Sequence, residues 1–236
     1  MVSSKKQNIA DREQSSVNTG KHKVLIVDDH PIVRQGLTQL INLDSELTVC
    51  GEASDIPSAL QAVNEDHPDI AVIDISLGEV SGIRLIEDLS SQYPDVLILA
   101  LSMHDESLYA ERSLRAGAKG YIMKKEPPGQ VIVALKKVLS GDIYVSNDLS
   151  LKLLQKFVAN KGRENKSSIE SLSNRELEVF QLIGRGFKTR KIAEHLTLSI
   201  KTIETYVDHI KKKMDFKDSR SLIQHAVQWY MNEDKK

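Results

Sequence analysis

The chain has 236 residues, of which 40% are hydrophobic and 28% charged, a composition typical of a globular protein with one large or two small domains. No stretch approaches the roughly 18 consecutive apolar residues of a membrane-spanning helix. Residues 1–20 are polar and contain no apolar core, so we expect that they are not a signal peptide. The single cysteine, Cys50, excludes an internal disulfide and a cysteine-rich zinc site. We therefore expect a cytoplasmic protein with no membrane partner.

The net charge of −1 hides two parts of opposite sign. Residues 21–141 carry 11 Lys and Arg against 18 Asp and Glu, a net charge of −7. Residues 171–236 carry 13 against 9, a net charge of +4. This difference predicts two domains with different partners, although a charge of +4 is by itself also common on solvated surfaces.

Residues 21–141 alternate short apolar runs with amphipathic segments, the pattern of strands followed by helices. The predicted strands are residues 23–27, 47–53, 70–73, 96–101 and 120–123. The predicted helices are residues 32–43, 56–64, 82–91, 106–116 and 130–139. Continuous apolar strands are typical of strands covered on both faces. Five such units predict an α/β fold, a doubly wound five-stranded parallel sheet.

The remaining segments predict an arm, a linker and a helical domain. Residues 1–20 predict a disordered arm because they are polar throughout. Residues 142–170 predict a linker that can contain one helix. Residues 171–236 predict an all-α domain of four helices, at residues 174–183, 189–195, 201–213 and 219–230. Ser173 and Glu176 have the spacing of a capping box at the first of these helices.

Polar side chains follow four of the predicted strands, at the edge where parallel α/β sheets bind ligands. Asp28 and Asp29 follow the first strand, Asp74 the third, Ser102 the fourth and Lys124 the fifth. Converging carboxylates suit a hard cation such as Mg²⁺. A carboxylate beside the metal can attack phosphorus, while the metal and a lysine offset the charge of the phosphoryl group. The Ser102 hydroxyl could donate a hydrogen bond to that group.

Each of these residues also has a purely structural interpretation. The acidic pair could cap the helix that opens at Pro31, a favoured first-turn residue. Asp74 and Ser102 could be ordinary loop residues, and Lys124 could be solvated. Their joint placement at four strand ends of one sheet favours a functional cluster.

Residues 23–139 resemble the receiver domain of two-component response regulators, whose fold is flavodoxin-like. The matching segments are residues 27–30 (VDDH), 73–76 (IDIS), 101–102 (LS) and 117–124 (GAKGYIMK). The resemblance implies that Asp74 accepts a phosphoryl group from a sensor histidine kinase. It implies that Mg²⁺ is surrounded by Asp28, Asp29, Asp74 and the backbone carbonyl of Ser76. It also implies that Ser102 and Lys124 contact the phosphoryl group and that Tyr121 changes rotamer with Ser102.

Two positions qualify this resemblance. Many receivers have proline four residues after the acceptor, whereas this chain has Gly78. We expect this departure to alter the rigidity of the loop without removing a catalytic group. Tyr121 could instead be a half-buried strand tyrosine.

Residues 172–206 resemble the LuxR-type helix-turn-helix, through the runs 172–180, 186–196 and 198–206. With the receiver, in the same order along the chain, this resemblance extends to the NarL/FixJ family over most of residues 23–230. Independently, Ile203, Val207, Ile210 and Met214 have the spacing of a buried helical stripe. The opposite face of that helix is therefore the predicted recognition surface for the DNA major groove.

The predicted DNA contacts combine phosphate-binding residues and base-reading residues. They are Lys188, Thr189, Arg190, Lys191, Lys201, Thr202, Glu204, Thr205, Tyr206, Asp208, Lys211 and Lys212. Glu204 and Thr205 occupy the positions that contact bases in the family, where glutamate can accept from cytosine N4 and a threonine methyl can contact thymine. Glu204 could instead be an exposed acid paired with Lys201 or Lys211. The whole segment could also be a helical protein-interaction domain.

These patterns predict a DNA-binding transcription regulator, not an enzyme, switched by phosphorylation of Asp74. The mild positive charge predicts weak binding by one domain, so we expect a homodimer on double-stranded promoter DNA. One alternative is a Mg²⁺-dependent phosphatase with Asp74 as nucleophile. Ser76 two residues later, where a haloacid-dehalogenase-like enzyme has a second aspartate, argues against it. Another alternative is a receiver with a protein-binding output, which would show no salt-dependent DNA binding.

Overall fold

A computed structural model describes residues 20–78, 80–103, 106–159 and 169–233 of the chain. The predicted disordered arm therefore lies outside the described residues except for Gly20, and so does the polar end of the predicted linker. Within the described ranges, no helix is both long and apolar enough to span a bilayer.

The first part of the described chain is a parallel sheet with a small hairpin beside it. The strands are β1 (His22–Val27), β2 (Leu47–Ala53), β3 (Ile70–Asp74), β4 (Ser76–Leu77), β5 (Val80–Ser81), β6 (Leu97–Ser102) and β7 (Gly120–Met123). Five of them form the sheet in the order β2-β1-β3-β6-β7, which confirms the predicted fold. The antiparallel pair β4–β5 is separate and was not predicted, because two-residue strands leave too short a pattern.

The helices follow the predicted order with small shifts at their ends. The sheet is flanked by α1 (Pro31–Asn42), α2 (Ile56–Asp66), α3 (Gly82–Gln92), α4 (Glu106–Ala116) and α5 (Gly129–Leu139). The segment predicted as a linker contains α6 (Asn147–Ala159). After a 3-10 turn at Ile169–Ser171 come α7 (Asn174–Gly184), α8 (Thr189–His195), α9 (Ile200–Lys213) and α10 (Ser219–Glu233).

Successive residues of the central strands point into two separate cores, one on each face of the sheet. In β1, Val24 and Ile26 pack with residues of α1 and α5, while Leu25 and Val27 pack with residues of α2, α3 and α4. All four side chains are essentially buried. This arrangement explains why the strand is a continuous apolar run without alternation.

The strand order places the carboxyl ends of β1 and β3 beside each other. The chain runs from β1 outward to β2 and then returns to the other side of β1 as β3, so the winding direction reverses between them. Open α/β sheets bind ligands at such a reversal. Asp28 directly follows β1 and Asp74 is the last residue of β3, so both carboxylates lie at this point.

The helical domain begins with the capping box that the sequence predicts. The Ser173 side chain accepts a hydrogen bond from the Glu176 backbone, and the Glu176 carboxylate accepts one from the Ser173 backbone. Of the predicted stripe, Ile203 and Ile210 on α9 are fully buried, Met214 directly after α9 is nearly so, and Val207 is partly buried. The opposite face of α9 is therefore left for solvent or a partner.

Candidate functional site

The acidic residues predicted at the strand ends form one cluster. Asp28, Asp29, His30 and Asp74 each offer a ligand atom, and these atoms lie within 4.8 Å of one another. Asp28 and Asp74 are 0% and 1% exposed. Burying carboxylates together without compensation is costly, so the cluster requires positive charge or a hard cation.

Lys124 supplies positive charge to the cluster. Its Nζ lies 2.6 Å from Asp28 Oδ2 and 2.7 Å from Asp74 Oδ2. Its backbone N–H donates to the Ser102 carbonyl at 2.7 Å, which ties the position of Lys124 to the end of β6. The side chain is only 8% exposed, so the alternative of a solvated surface lysine is wrong.

Burial and ion pairing act in opposite directions on this pair. Burial raises the pKa of Asp74 above its ordinary value, and the ammonium group of Lys124 opposes that effect only in part. Burial alone would lower the pKa of Lys124, but the carboxylates of Asp74 and Asp28 raise it overall. Lys124 is therefore held as a cation beside Asp74.

The backbone around Asp74 is fixed by close contacts. Asp74 Oδ1 accepts a hydrogen bond from the Ser76 N–H at 3.1 Å, and the Ile75 N–H donates to the Leu101 carbonyl at 2.9 Å. A Cβ on Gly82 would lie 2.0 Å from the Asp74 carbonyl oxygen, so α3 can begin this close to Asp74 only with glycine at that position.

Gly78 explains the departure from the usual proline. It lies between β4 and β5 with φ of +60°, the left-handed region. Proline is restricted to φ near −65°, so it cannot adopt this turn. Position 78 therefore requires a residue that tolerates positive φ, and the constraint is the backbone conformation, because a Cβ there would make only an ordinary 3.7 Å contact with Asp29 Oδ2.

His30 is a further member of the cluster that the sequence pattern does not single out, although it lies within the acidic motif. Its backbone N–H donates to Asp28 Oδ1 at 2.9 Å, and its Nδ1 lies 2.8 Å from Asp29 Oδ1. His30 is also the N-cap of α1, with no side-chain hydrogen bond to the helix. The acidic pair therefore turns toward His30 and Lys124, not toward the first turn of α1. Direct adjacency to two aspartates was the available signal.

The donor atoms fit a divalent cation such as Mg²⁺. Asp28 Oδ2 and Asp29 Oδ1 are buried and accept no hydrogen bond of regular geometry, although Lys124 and His30 lie at ion-pair distance. Buried carboxylate oxygens with unused lone pairs are the ligands that a hard cation prefers. The cluster therefore has the chemistry of a metal-binding acidic pocket.

Ser102 and Tyr121 lie on neighbouring strands beside this cluster. Ser102 ends β6 opposite Met123, and Tyr121 pairs with Ala100. Both residues are 0% exposed, so Tyr121 is not the half-buried strand tyrosine of the alternative interpretation. Its ring lies within the core on the α4 side of the sheet.

The predicted DNA-contacting residues lie at the start of α8 and along α9. Eight are exposed: Lys188, Arg190, Lys191, Lys201, Glu204, Thr205, Asp208 and Lys212. Four are partly buried: Thr189, Thr202, Tyr206 and Lys211.

Local contacts constrain several of these side chains. The Thr205 hydroxyl donates to the Lys201 carbonyl at 2.9 Å, and Thr202 lies at the Ser199 N-cap. Asp208 forms a 2.8 Å ion pair with Lys211, which offsets the charge that would repel phosphate. Of the two partners proposed for Glu204, Lys211 is therefore engaged elsewhere.

The Phe187 ring joins Lys191, a predicted DNA contact, to Arg185, a cation that the sequence pattern did not single out. Lys191 Nζ is 4.2 Å from the centre of the Phe187 ring, and the Arg185 guanidinium carbon is 5.2 Å from it. Such cation–π contacts stabilise charged side chains in defined positions. Arg185 thereby joins the basic residues at the start of α8.

Comparison with known proteins agrees with this architecture. Residues 24–136 match the response regulator receiver domain, and residues 170–226 match the bacterial regulatory proteins of the luxR family. The oxygen regulatory protein NreC of Staphylococcus haemolyticus is 37% identical over 210 residues, which cover 87% of this chain and 96% of NreC.

Solved structures of the response regulator RcsB from Salmonella typhimurium are similar over both domains. One is 26% identical with a TM-score of 0.67 and covers 89% of this chain and 98% of its own. Another, RcsB bound to the promoter rprA in the presence of the phosphomimetic BeF₃⁻, is 25% identical with a TM-score of 0.67 and covers 88% and 99%. The family combines a receiver with a DNA-binding LuxR-type helix-turn-helix and regulates transcription. The chain belongs to the NarL/FixJ family of two-component response regulators.

Proposed function

We propose that this protein binds promoter DNA and that phosphorylation of Asp74 by a sensor histidine kinase switches that binding. We assign residues 21–141 to the receiver, 142–170 to the linker and 171–236 to the DNA-binding domain. The observation that carries the proposal is the buried Asp74 carboxylate, which lies between an oxygen-rich acidic cluster and the Lys124 ammonium group. Because its target is DNA, we infer that the protein works in the cytoplasm.

The proposed reaction transfers a phosphoryl group from a kinase histidine to Asp74. A carboxylate oxygen of Asp74 attacks phosphorus, the P–N bond to the imidazole breaks, and the imidazole nitrogen takes the bonding electron pair and a proton. The product is an acyl phosphate. Lys124 and the Ser102 hydroxyl would contact the phosphoryl oxygens, where they stabilise negative charge.

We propose Mg²⁺ as the cation of this pocket, held by Asp28, Asp29, Asp74 and the Ser76 carbonyl. When bound, it would offset the charge of the carboxylates and the phosphoryl group. The added charge of about −1.5 to −2 at pH 7 would then act on Ser102, the last residue of β6, and on Tyr121 within the neighbouring strand β7.

The DNA side of the proposal depends on α8 and α9. Lysines and arginine on these helices would hold phosphates, while Glu204 and the Thr205 methyl group would contact bases. The Thr205 hydroxyl already donates to the Lys201 carbonyl, which leaves its methyl group for an apolar contact. RcsB structures with promoter DNA, and a structure of two RcsB dimers bound to two parallel DNAs, support the proposal of a homodimer on promoter sites.

Intact-mass analysis tests the central step. Wild type, Asp74→Asn and the control Asp95→Asn, an exposed aspartate after α3, are incubated with Mg²⁺ and acetyl phosphate. We expect one added phosphate in wild type and in Asp95→Asn, and none in Asp74→Asn. Phosphate on Asp74→Asn would contradict the assignment of the acceptor. Sustained hydrolysis of p-nitrophenyl phosphate by wild type would instead support the phosphatase alternative.

A further inference from the structure

The first helix of the DNA-binding domain, α7, contacts the receiver through α4. The Gln181 side-chain amide donates to the Tyr109 hydroxyl at 2.6 Å. One nitrogen of the Arg112 guanidinium donates to the Asn174 side chain at 3.1 Å, and another donates to the Ile169 carbonyl at 3.1 Å. Tyr109 is 3% exposed and Arg112 is 9% exposed, so this contact is buried.

Arg112 shows how specific this contact is. Burial lowers the pKa of its guanidinium, which means that the cation has lost solvent at this position. A buried cation requires acceptors, and Arg112 finds them in the segment that leads into α7. Asn174 in turn donates to Glu87 Oε1 of α3 at 2.7 Å, so the start of α7 is bonded to two receiver helices.

A second contact joins α7 to the hairpin that follows Asp74. The Ser81 N–H lies 3.4 Å from Glu178 Oε1, and Glu178 is 5% exposed. Ser81 pairs with Ser76 across the β4–β5 hairpin, and Ser76 donates its N–H to Asp74. The contact is therefore two hydrogen-bonded steps away from the acceptor carboxylate.

The receiver segments in these two contacts, the β4–β5 hairpin and α4, follow Asp74 and Ser102 in the chain, the two residues expected to respond to phosphorylation. The hairpin begins two residues after Asp74, and α4 begins four residues after Ser102. We propose that α7 is the docking surface through which the receiver controls the DNA-binding domain, by way of the hairpin and α4. The part of this inference that concerns control depends on the proposed function, whereas the docking itself does not.

This arrangement differs from one in which the receiver covers the recognition helix. The receiver contacts described above involve α7 and the 3-10 turn before it, whereas Lys201, Glu204, Thr205 and Lys212 of α9 are exposed. With α7 in contact with the receiver, the predicted recognition surface of α9 therefore remains accessible to DNA. Control then acts on the position of the DNA-binding domain, which sets the spacing of two domains in a dimer, and not on exposure of α9.

Hydrogen exchange in the full-length protein tests the docking. Arg112→Gln and Asn174→Ala each remove one side of the contact, and Arg115→Gln is the matched control, because Arg115 lies on the same helix with a side chain 77% exposed. We expect faster exchange in residues 106–116 and 169–184 in the first two variants, with β1 and β2 unchanged. Arg115→Gln should match wild type. Exchange in both segments equal to wild type in both variants would overturn the docking.

The coupling is measured as the ratio of DNA dissociation constants without and with acetyl phosphate, on a DNA site selected with wild-type protein. Allosteric ratios of about 5–150 are typical. We expect Arg112→Gln, Asn174→Ala and the double variant to lower the ratio toward one by similar amounts, because both residues form the same contact while the Ser81–Glu178 contact remains. The amount of phosphate on Asp74 should not change.

The outcomes separate this inference from the proposed function. An unchanged ratio in variants that still accept phosphate would overturn the coupling through α7 and leave the phosphorylation switch intact. A wild-type ratio of one would overturn the switch and the coupling together. Absence of DNA binding by the unphosphorylated wild type at low salt would contradict an accessible recognition surface.

Discussion

The ammonium group of Lys124 lies 2.7 Å from Oδ2 of Asp74, a residue 50 positions earlier in the chain. The two meet because β3 and β7 are parallel and end at the same edge of the sheet, on either side of β6. The same ammonium group is 2.6 Å from Asp28, so a single cation bridges the carboxyl ends of β1 and β3. Lys124 therefore offsets part of the negative charge of the cluster and leaves it net acidic, as a cation site requires.

Removing this cation should slow phosphorylation of Asp74. We expect Lys124→Met to lower the rate with acetyl phosphate by about 100-fold or more, since loss of one charge-stabilising donor typically costs that much. The time course of intact mass gives the rate. Lys125→Met is the matched control, because Lys125 is adjacent and exposed, and it should react like wild type. A wild-type rate in Lys124→Met would show that Lys124 does not act on the phosphoryl group.

The sequence predicts the sheet and the cluster well because both depend on short patterns. Continuous apolar strands and polar residues at their ends are local features, and the parallel topology brings those ends together. Asp28, Asp74 and Lys124 lie together for this reason.

Other features depend on tertiary contacts that no local pattern encodes. The turn at Gly78 is visible only through its φ angle, and the β4–β5 hairpin is too short to produce a periodic signal. Arg112 looks like any helical arginine in the sequence, and only the fold reveals that it reaches Asn174, 62 positions later. The sequence therefore does not predict which side chains become buried between the two domains.

The conformation of Gly78 predicts that this loop will not accept the proline found in many receivers. We expect Gly78→Ala to lower the free energy of unfolding of the receiver by about 1–2 kcal/mol, the cost of a left-handed residue with a side chain. Gly78→Pro should cost more, since its φ is fixed on the negative side. Hydrogen exchange of the β1 and β3 backbone amides during a urea titration measures this change in the free energy of unfolding.

Gly36 provides a matched control for these substitutions. It lies inside α1, and a Cβ there would meet no heavy atom within 4 Å. Gly36→Ala should therefore stabilise the receiver by about 0.5–1 kcal/mol through helix propensity and lower chain entropy. Equal stability of Gly78→Pro and wild type would mean that the turn has another conformation in solution.

Glu204 and Lys212 are expected to affect DNA binding in different ways. Glu204→Ala should relax base preference at one position of each half-site by about 1–3 kcal/mol, because it removes a base contact. Lys212→Ala should weaken binding to all sequences alike and reduce the salt slope by about 1, as expected for a phosphate contact. Selection from a random DNA library and titrations at several salt concentrations measure both. If Glu204→Ala kept the base preference of wild type, Glu204 would be an exposed helix acid and not a base contact.

Glu176 should make the stability of the DNA-binding domain depend on pH. Burial alone would raise the pKa of this carboxyl, but hydrogen bonds from Lys213 and Ser173 outweigh burial and lower it below its ordinary value of 4.5. The native state thus favours the ionised form more than the unfolded state does. This stabilisation is fully present above pH 4.5 and is lost as the pH falls through the lowered native-state pKa.

We therefore expect Glu176→Gln to lower the free energy of unfolding at pH 7 by about 1 kcal/mol, because glutamine keeps the capping-box acceptor but loses the charge that pairs with Lys213. This loss should become smaller as the pH falls below the ordinary carboxyl pKa of 4.5. Trp229, the only tryptophan in the sequence, packs 5.7 Å from the Phe180 ring of α7 and reports unfolding of this domain by fluorescence. Glu194→Gln, whose side chain is 68% exposed, should change stability by less than about 0.5 kcal/mol. A Glu176→Gln difference that stays constant into acid would mean that the carboxylate charge is not the stabilising feature.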